Sequence, residues 1–375
     1  MSYDNAVTPQ MFGAMANGII DDTEAFQQAV DSGYDVFVPT SRRETYRITK
    51  PIRITNKQCK RIFSEPVARS SDKGAIIFDL NNSSVDVKTI GLFDVHIQLL
   101  HLSGLRIISK AVNSHRAGIL VNAMDENVCD YDILINQCEI INFYKVCRFT
   151  GRGLEITNSK IGSCQYLTEL YWNDEKDTNK NHPPQYDQRG IAIKNCRLHN
   201  IASAFLIVRS GHAYGLHFTG NTIDNGKGYL VRAYDQAYGW NIGGNVIQGI
   251  QGEFDFMTFK KGMRDCVITG NTFLSDKGYW IGTESTVNSW IKCAGDTQSC
   301  IISNNVFKNT EGGFMAFKNL YGSSIVGNVM HNETGSKEPE ISASGKCAGN
   351  AICGNTFTDT KQLSKGNAVA GNYPV

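Results

Sequence analysis

Apolar and polar residues alternate along most of the chain in short runs, and a recurring Gly-Asn step separates the runs. Typical copies read NIGGNVI at 241–247, VITGNTF at 267–273 and AICGNTF at 351–357. Alternation with a period of two is typical of a strand that buries one face. Gly or Asn followed by Asn suits a residue that must adopt a positive φ between two strands. The phrase therefore predicts a strand, a sharp bend and a second strand.

The bends recur at the intervals of a solenoid. Successive steps lie 24, 26, 34, 23, 27 and 17 residues apart, and weaker copies carry Ser159 and Cys196 at the Asn position. A unit of this length cannot bury its apolar face alone, so successive units must stack. Stacking predicts a column of asparagines whose amides hydrogen-bond between coils. Its members are Asn221, Asn245, Asn271, Asn305, Asn328, Asn355 and Asn372. The fold class predicted is all-β, a single-stranded parallel β-helix.

The segment DDTEAFQQAVD, residues 21–31, has the apolar spacing of a helix. Asp21 and Glu24 have the spacing of a capping box, and Gly33 is placed to end the helix. A stack of coils needs covered ends, so this helix is predicted to cap the first coil. We therefore expect 1–50 to form the N-terminal cap and first coil. Residues 51–375 then form the β-helix body, continuous with the cap as one domain.

Composition narrows the partners. The 375 residues carry a formal net charge of +1 with acids and bases interspersed, which argues against nucleic acid and against an anionic membrane as partners. The N-terminus has neither the basic nor the apolar region of a signal peptide, so we expect a soluble protein made in a cytoplasm. Eleven cysteines include no C-x-x-C pair, and we expect them to be reduced and buried. No metal-ligand cluster stands out, and no cofactor is predicted.

The stretch FGAMANGIIDDTEAFQQAVDSGYDVFVPTSRRETYRI, residues 12–48, resembles the opening of the pectate-lyase-like superfamily of right-handed parallel β-helices. Bacteriophage tailspikes of this superfamily begin with a similar Phe-Gly-Ala, Gly, Asp-Asp-Thr, Ala, Gln-Ala pattern. The segment Ala16-Asn17-Gly18 departs from their usual Gly-Asp-Gly, which changes a turn residue. The Gly-Asn repeats extend the similarity over the rest of the chain.

The resemblance implies a homotrimeric spike on a phage tail that binds, and often cleaves, a bacterial surface polysaccharide. The implied partners are that polysaccharide, two further copies of the chain and other tail or baseplate proteins. The implied location is the virion, with synthesis in the host cytoplasm. The start of the pattern within the first dozen residues indicates either a compact member attached through another protein or an excised fragment.

Site residues are expected where coils depart from the mean length, because the inward face already fixes the fold. Between Asn158 and Asn195 lies a long loop with several aromatic residues, among them Trp172, which suits contact with sugar rings. Between Gly270 and Asn304 a second long interval contains Glu284 and Trp290. For the first interval the alternative is a solvated loop or a contact between subunits of a trimer.

Glycoside hydrolysis usually needs two carboxylates, one as general acid and one as base or nucleophile. In EFDFMTF, residues 253–259, alternation predicts that Phe254 and Phe256 point inward and that Glu253 and Asp255 point outward. Two residues along a strand span about 6.6 Å, which is compatible with an inverting enzyme. Asp235 and Glu284, on neighbouring coils, are alternative catalytic residues. The alternative interpretation is that these acids are without catalytic function and belong to a solvated strand face.

Cations are predicted to share an outward face with this pair. Arg232 and Lys292 fall twelve residues before the Gly-Asn column and Arg209 eleven. With Tyr234 and Trp290 they would form a basic, aromatic-edged strip able to hold an acidic polysaccharide. The alternative is a set of ion pairs with Asp235, Asp255 and Asp296.

Three functions stay open at this stage. The first is a tailspike depolymerase that hydrolyses internal glycosidic bonds of a capsule, exopolysaccharide or O-antigen. The second is a receptor-binding spike without catalysis. The third is a lyase, since His212 or Tyr214 beside a cation could support β-elimination of a uronic acid.

Overall fold

The structure is a computed structural model. It describes residues 5–39, 44–58, 61–65, 74–81, 86–110, 115–124, 131–150, 153–171, 190–208, 213–234, 236–250, 254–275, 287–310, 312–332, 341–357, 368–370 and 373–374. The chain divides into two compact units. Unit 1 comprises Met1–Tyr171 with Asn195–Arg197, and unit 2 comprises Trp172–Lys194 with Leu198–Val375. The expectation of one continuous domain stays a prediction.

Unit 1 contains three parallel sheets, and successive coils add strands to sheets A, B and C in turn. Sheet A contains Ala6–Val7, Asp35–Phe37, Arg61–Phe63, Leu99–Ser103, Asp132–Asn136 and Leu154–Thr157. Sheet B contains Asn17–Asp21, Thr45–Ile48, Ala75–Phe78, Arg106–Ser109, Glu139–Ile141 and Lys160–Gly162. Sheet C contains Ile52–Ile54, Gly91–Val95, Ile119–Ala123, Lys145–Thr150 and Tyr166–Tyr171.

Unit 2 repeats this arrangement. Sheet A contains Ile191–Lys194, His217–Thr219, Asn241–Gly243, Val267–Thr269, Ile301–Ser303, Ser324–Val326, Ala351–Cys353 and Ala368–Ala370. Sheet B contains Thr222–Asp224, Val246–Gln248, Thr272–Leu274, Val306–Lys308, Val329–His331, Thr356–Phe357 and Tyr373–Pro374. Sheet C contains Ala204–Val208, Tyr229–Ala233, Asp255–Phe259, Ser289–Gln298, Met315–Tyr321 and Ile341–Ala343, with the short strands Ala213–Tyr214, Ala237–Tyr238, Gly262–Arg264 and Cys347–Ala348 beside them. The strand Arg197–His199 spans the boundary between the units. The predicted parallel β-helix is confirmed in both units.

The bend between sheets A and B in unit 2 explains the repeated phrase. Gly244 and Gly270 adopt φ values of 62° and 65°, and Asn304 fills the equivalent place at 54°. A Cβ at Gly244 would meet nothing within 4 Å, so the positive φ, and not lack of space, selects Gly here. The weaker copies bend in the same way, with φ of 50° at Asn158 and 55° at Asn195.

The predicted asparagine column is confirmed for six of its members, Asn221, Asn245, Asn271, Asn305, Asn328 and Asn355. The amide of Asn245 illustrates the pattern: Oδ1 accepts from Asn221 Nδ2 at 3.0 Å, and Nδ2 donates to Asn271 Oδ1 and to the Phe218 carbonyl, each at 2.8 Å. Each such bond contributes about 1 kcal/mol net, whereas an unpaired buried amide costs about 1–3 kcal/mol. Asn372 lies outside the described residues.

The helix in unit 1 spans Thr23–Asp31 and buries Ala25, Phe26, Ala29 and Val30. It begins two residues later than predicted, because Asp21 still belongs to the strand Asn17–Asp21. The predicted capping box is wrong: the N-cap residue is Asp22, which makes no side-chain cap bond, and Asp21 Oδ1 instead accepts from the Thr23 amide at 3.0 Å. The helix ends where predicted, since Gly33 adopts a φ of 82° and donates to the Val30 carbonyl.

Within the described parts of the chain nine cysteines are free, and seven of them are buried. Cys353 was expected to be buried but is half-exposed, like Cys347. The described residues include no group of three or more His, Cys, Asp or Glu side chains able to hold a metal ion. They also include no helix long and apolar enough to cross a membrane.

Candidate functional site

The outward side of sheet C in unit 2 carries aromatic and charged side chains. Arg232 lies opposite Thr258 and Thr258 opposite Lys292, so the three form one row across neighbouring strands. At about 4.8 Å per strand, the backbone positions of Arg232 and Lys292 are roughly 9.6 Å apart along the row. We call this row, together with Tyr229, Tyr234, Phe254, Asp255 and Ser289, the unit 2 strip. The prediction that Arg232 and Lys292 share an outward row is confirmed.

Arg232 is held between two aromatic rings. Its guanidinium carbon lies 5.2 Å from the ring centroid of Tyr229 and 5.2 Å from that of Tyr234. Both distances are within the range of cation–π contacts. The arginine is half-buried, and no carboxylate of the described residues lies within ion-pair distance of it. Its positive charge is therefore oriented by aromatic rings and not by an acidic side chain.

Asp255 is also half-buried on the outward face, as predicted, with 19% of its side chain exposed. Its Oδ2 lies 2.8 Å from Lys292 Nζ, and its Oδ1 accepts from Ser289 Oγ at 2.8 Å. This ion pair is the alternative that the sequence had left open for Lys292. Both partners of Asp255 are donors, so its two oxygens act as acceptors in this arrangement.

Two predicted positions need correction. Phe254 was expected to point into the core, but it is half-exposed and packs against Tyr229 with 5.1 Å between ring centroids. Trp290 was predicted to contact substrate, but its side chain is fully buried, 5.2 Å from Phe256 and 5.3 Å from Phe273 between centroids. The strand departs from strict alternation here, since Trp290 and Ile291 are both buried, and the indole packs against Phe256 and Phe273 in the core. Trp290 therefore cannot stack on a sugar at the surface.

Several predicted site residues lie outside the described residues: Glu253, Asp235, Glu284, Arg209 and Trp172. His212 of the lyase hypothesis lies there too. Tyr214, its partner in that hypothesis, stacks on Tyr238 with 5.0 Å between centroids and 23° between ring planes. The structure thus brings together Arg232, Tyr234, Asp255 and Lys292 from the predicted set.

A second polar strip, on the outward side of sheet C in unit 1, was missed by the sequence analysis. One row runs through five strands in register and contains Arg53, Asp94, Asn122, Arg148 and Glu169. We call this row, with Lys145 and His96, the unit 1 strip. Its signal was present as a polar residue in fourth place in GLFDV, ILVNA, KVCRF and YLTEL. Weak bend copies in this part of the chain hid the alignment.

The two carboxylates of the unit 1 strip, Asp94 and Glu169, are each paired with a cation. Asp94 accepts from Asn122 Nδ2 at 3.0 Å and lies 3.1 Å from His96 Nε2 and 4.0 Å from Arg53 Nε. Glu169, with 1% of its side chain exposed, is paired with Lys145. The ammonium of Lys145 also lies 5.5 Å from the Tyr144 ring. Burial, reinforced by the nearby Tyr166 phenol, raises the pKa of Tyr144 above its ordinary value.

Only the unit 2 strip combines a cation without an acidic partner, surface aromatic rings and a carboxylate among the residues described. Aromatic faces suit the apolar faces of sugar rings, and a cation suits a sugar carboxylate. A carboxylate that accepts hydrogen bonds can take a proton from water or from a sugar hydroxyl. We therefore take the unit 2 strip as the candidate site.

No protein-family model and no curated protein sequence matches the chain. Solved structures do match. Tailspike protein 3 of bacteriophage CBA120 is 16% identical with a TM-score of 0.56, and the match covers 99% of this chain and 62% of that one. The chain therefore spans less than two thirds of that tailspike.

Two bacterial enzymes match over nearly their whole length. DFA-IIIase from Arthrobacter chlorophenolicus A6, without its lid and in complex with GF2, is 12% identical with a TM-score of 0.60; the match covers 99% of this chain and 100% of that one. The A-module of the Azotobacter vinelandii mannuronan C-5 epimerase AlgE6 is 11% identical with a TM-score of 0.51, covering 98% and 99%. At such identities the similarity establishes the fold. The chain thus has the parallel β-helix fold of the phage tailspikes and pectate-lyase-like enzymes.

Proposed function

We propose that this chain is the β-helix of a phage tailspike that binds a bacterial surface polysaccharide and depolymerises it by endo-glycosidic hydrolysis. The observation that carries the proposal is the unit 2 strip, where Asp255 lies on the same outward surface as the Tyr229, Phe254 and Arg232 side chains. The similarity in fold to a phage tailspike and to carbohydrate enzymes supports it.

In this proposal Asp255 acts as the base. A general acid must donate a proton, but both contacts of Asp255 are with donors, Ser289 and Lys292. Glu253, two residues earlier, is the proposed acid, with Asp235 and Glu284 as alternatives. The acid protonates the glycosidic oxygen as the C–O bond breaks. Asp255 takes a proton from the attacking water, whose oxygen forms the new bond to the anomeric carbon.

The proposal extends to assembly. By resemblance to tailspikes, three copies form a homotrimer that other tail or baseplate proteins hold on the virion, without a cofactor, nucleic acid or membrane. Within each copy the β-helix is right-handed and forms one domain. The helix Thr23–Asp31 caps its first coil, a role supported by the burial of Phe26 and Val30 on its apolar side.

The test is the size distribution of host polysaccharides after incubation with the purified protein. We expect wild-type protein to shorten one of them. Asp255→Asn and Glu253→Gln are each expected to reduce the rate at least 100-fold, because each removes one of the two proton-transfer groups. Asp296→Asn is the matched control, since Asp296 lies on sheet C of the same unit and accepts a hydrogen bond from Asn319 at 2.7 Å. An unchanged size distribution with all polysaccharides that bind would reject hydrolysis.

That outcome would favour the receptor-binding alternative, in which the strip holds the polysaccharide without cleaving it. In this alternative Asp255 only holds Ser289 and Lys292 in place, through its hydrogen bond and its ion pair.

A lyase is the third candidate, because Arg232 lies between two tyrosines and β-elimination of a uronic acid needs a cation beside a base. Lyase products contain an unsaturated sugar that absorbs in the near ultraviolet. Shortened products without that absorbance would leave hydrolysis as the reaction.

A further inference from the structure

The pairing of residues on neighbouring sheet C strands explains why Arg232 has no carboxylate partner among the described residues. In the sheet C strands YLVRA, DFMTF and SWIKC, the first and fourth residues are polar and the other three are buried. The first residue of one strand pairs with the fourth of the next strand: Asp255 pairs with Lys292 in this way. The equivalent first-place residue for Arg232 is Ala204, which stands opposite Tyr229. Ala204 is nearly buried and uncharged, so the strand before Arg232 provides no carboxylate at this place for the guanidinium.

Two other cations on sheet C of the same unit each have a carboxylate within ion-pair distance. Lys292 Nζ lies 2.8 Å from Asp255, and Arg264 Nε lies 3.8 Å from Asp265. An anion that approaches the unit 2 strip therefore meets its uncompensated positive charge at Arg232. The formal net charge of the whole chain, +1, provides little long-range attraction of its own, so this local charge decides the preference.

The shape of the site favours a carboxylate attached to a ring. The two tyrosine rings, each 5.2 Å from the guanidinium carbon, restrict its orientation. A planar guanidinium binds a carboxylate through two parallel hydrogen bonds, and its pre-orientation lowers the entropy lost on binding. The Tyr229 and Phe254 rings beside it offer surfaces for stacking on a sugar.

We infer that the substrate is an acidic polysaccharide and that Arg232 pairs with the carboxylate of one of its sugars. This rests on the proposed function and narrows its substrate class. Uronic acids and sialic acids both carry such a carboxylate, so the experiment includes both.

The experiment measures binding by isothermal titration calorimetry with defined probes. These are polygalacturonate and alginate for uronic acids, polysialic acid for sialic acids, and dextran as a neutral polymer. Each acidic probe is also used after chemical reduction of its carboxyl groups to alcohols. The variants are Arg232→Met and Arg232→Lys, with Arg264→Met as the matched control because that arginine already has an acidic neighbour. Circular dichroism verifies that each variant is folded.

We expect wild-type protein to bind at least one acidic probe and to lose at least tenfold in affinity when that probe is carboxyl-reduced. Arg232→Met should lose at least tenfold toward the unreduced probe. The affinity of Arg232→Lys should lie between those of wild type and Arg232→Met, since an ammonium keeps the charge without the planar pair of donors. Arg264→Met should bind within twofold of wild type.

Three results overturn the inference: no binding to any acidic probe, equal binding after carboxyl reduction, or full affinity in a folded Arg232→Met variant. The proposed function fails separately. Binding that depends on Arg232 without shortening of the probe would support the inference and reject the depolymerase. Shortening of a neutral polysaccharide alone would reject the inference and keep the depolymerase.

Discussion

On the outward faces of sheet C, both units place charged residues at the same two positions of neighbouring strands, but the charges differ in sign and in burial. In unit 1 the first residue of a strand, Lys145, pairs with the fourth residue of the next strand, Glu169. In unit 2 Asp255 and Lys292 occupy these two places with the signs reversed. The unit 1 pair is nearly buried, with 13% and 1% of the side chains exposed, whereas 51% of Lys292 is exposed.

The difference shows at which positions of a parallel sheet a charged side chain can lack an oppositely charged partner. A carboxylate as buried as Glu169 must be paired, because an isolated buried charge costs several kcal/mol. At a half-exposed position water lowers that cost, so Arg232 is tolerated with tyrosine rings as its contacts. In the unit 1 strip Asp94 and Glu169 are paired with cations, whereas in the described part of the unit 2 strip Arg232 contacts aromatic rings and no carboxylate.

The largest expected effect comes from breaking the buried pair. Glu169→Gln leaves the Lys145 ammonium without its carboxylate, which should lower the free energy of unfolding by about 3 kcal/mol. Chemical denaturation measures the change, and Asp132→Asn, at an exposed position of unit 1, is the control. Affinity for acidic probes should not change. A loss below about 0.5 kcal/mol would show that the pair is not a buried charge pair in solution.

The second prediction extends the comparison to another nearly buried carboxylate of unit 1, Asp79, with 2% of its side chain exposed. Burial opposes its ionisation, but hydrogen bonds from Lys110 at 2.9 Å and Arg47 at 3.0 Å outweigh burial and hold the pKa of Asp79 below its ordinary 3.8. A carboxyl group whose pKa is lower in the folded than in the unfolded state stabilises the fold at every pH above its ordinary pKa. This stabilisation is lost as the pH falls through the folded-state pKa.

Asp79→Asn should therefore lower the free energy of unfolding by about 2 kcal/mol at pH 7. The gap between variant and wild type should narrow once the pH falls below 3.8. Denaturation curves at pH 7, 5 and 3 measure it. A gap that stays constant over this range would contradict the assigned ion pairs.

A third prediction concerns a variant in which Arg232 is given a carboxylate neighbour. Ala204→Asp places a carboxylate at the first-place position of the preceding strand, as Asp255 does for Lys292. Neutralising the guanidinium should reduce affinity for an acidic probe about five- to tenfold. Ala204→Asn, which adds the same volume without the charge, is the control and should bind like wild type. If the aspartate variant is folded and keeps full affinity, the pairing rule between neighbouring strands is wrong.

The smallest effect should come from releasing Lys292. Asp255→Asn removes its exposed ion pair, which should cost less than about 1 kcal/mol of stability. A second free cation in the strip should raise affinity for an acidic probe about two- to fivefold, even though cleavage is lost in the proposed mechanism. Calorimetry with the inactive variant measures this. Weaker binding would mean that Asp255 itself contacts the ligand.

Some site positions could be read from the sequence and others could not. The register of Arg232 with Lys292 followed from counting back from the Gly-Asn column. The unit 1 strip did not, because Ser159 and Cys196 replace the asparagine that anchors the count there. Trp290 was misplaced because strict alternation puts it on the same face as Lys292, whereas this strand buries the successive residues Trp290 and Ile291 and exposes Lys292.

The sequence by itself determined the bends and the stacking. Gly and Asn tolerate a positive φ best, and a buried Asn amide needs hydrogen-bond partners, which an equivalent Asn one coil away can provide, so the repeat favours stacked parallel strands. Only the tertiary structure decided which charges are neutralised. Partners such as Asp255 and Lys292 are 37 residues apart in sequence, and their contact depends on the register of neighbouring strands and on burial. The free charge of Arg232 is a product of that register, since the residue placed before it is Ala204.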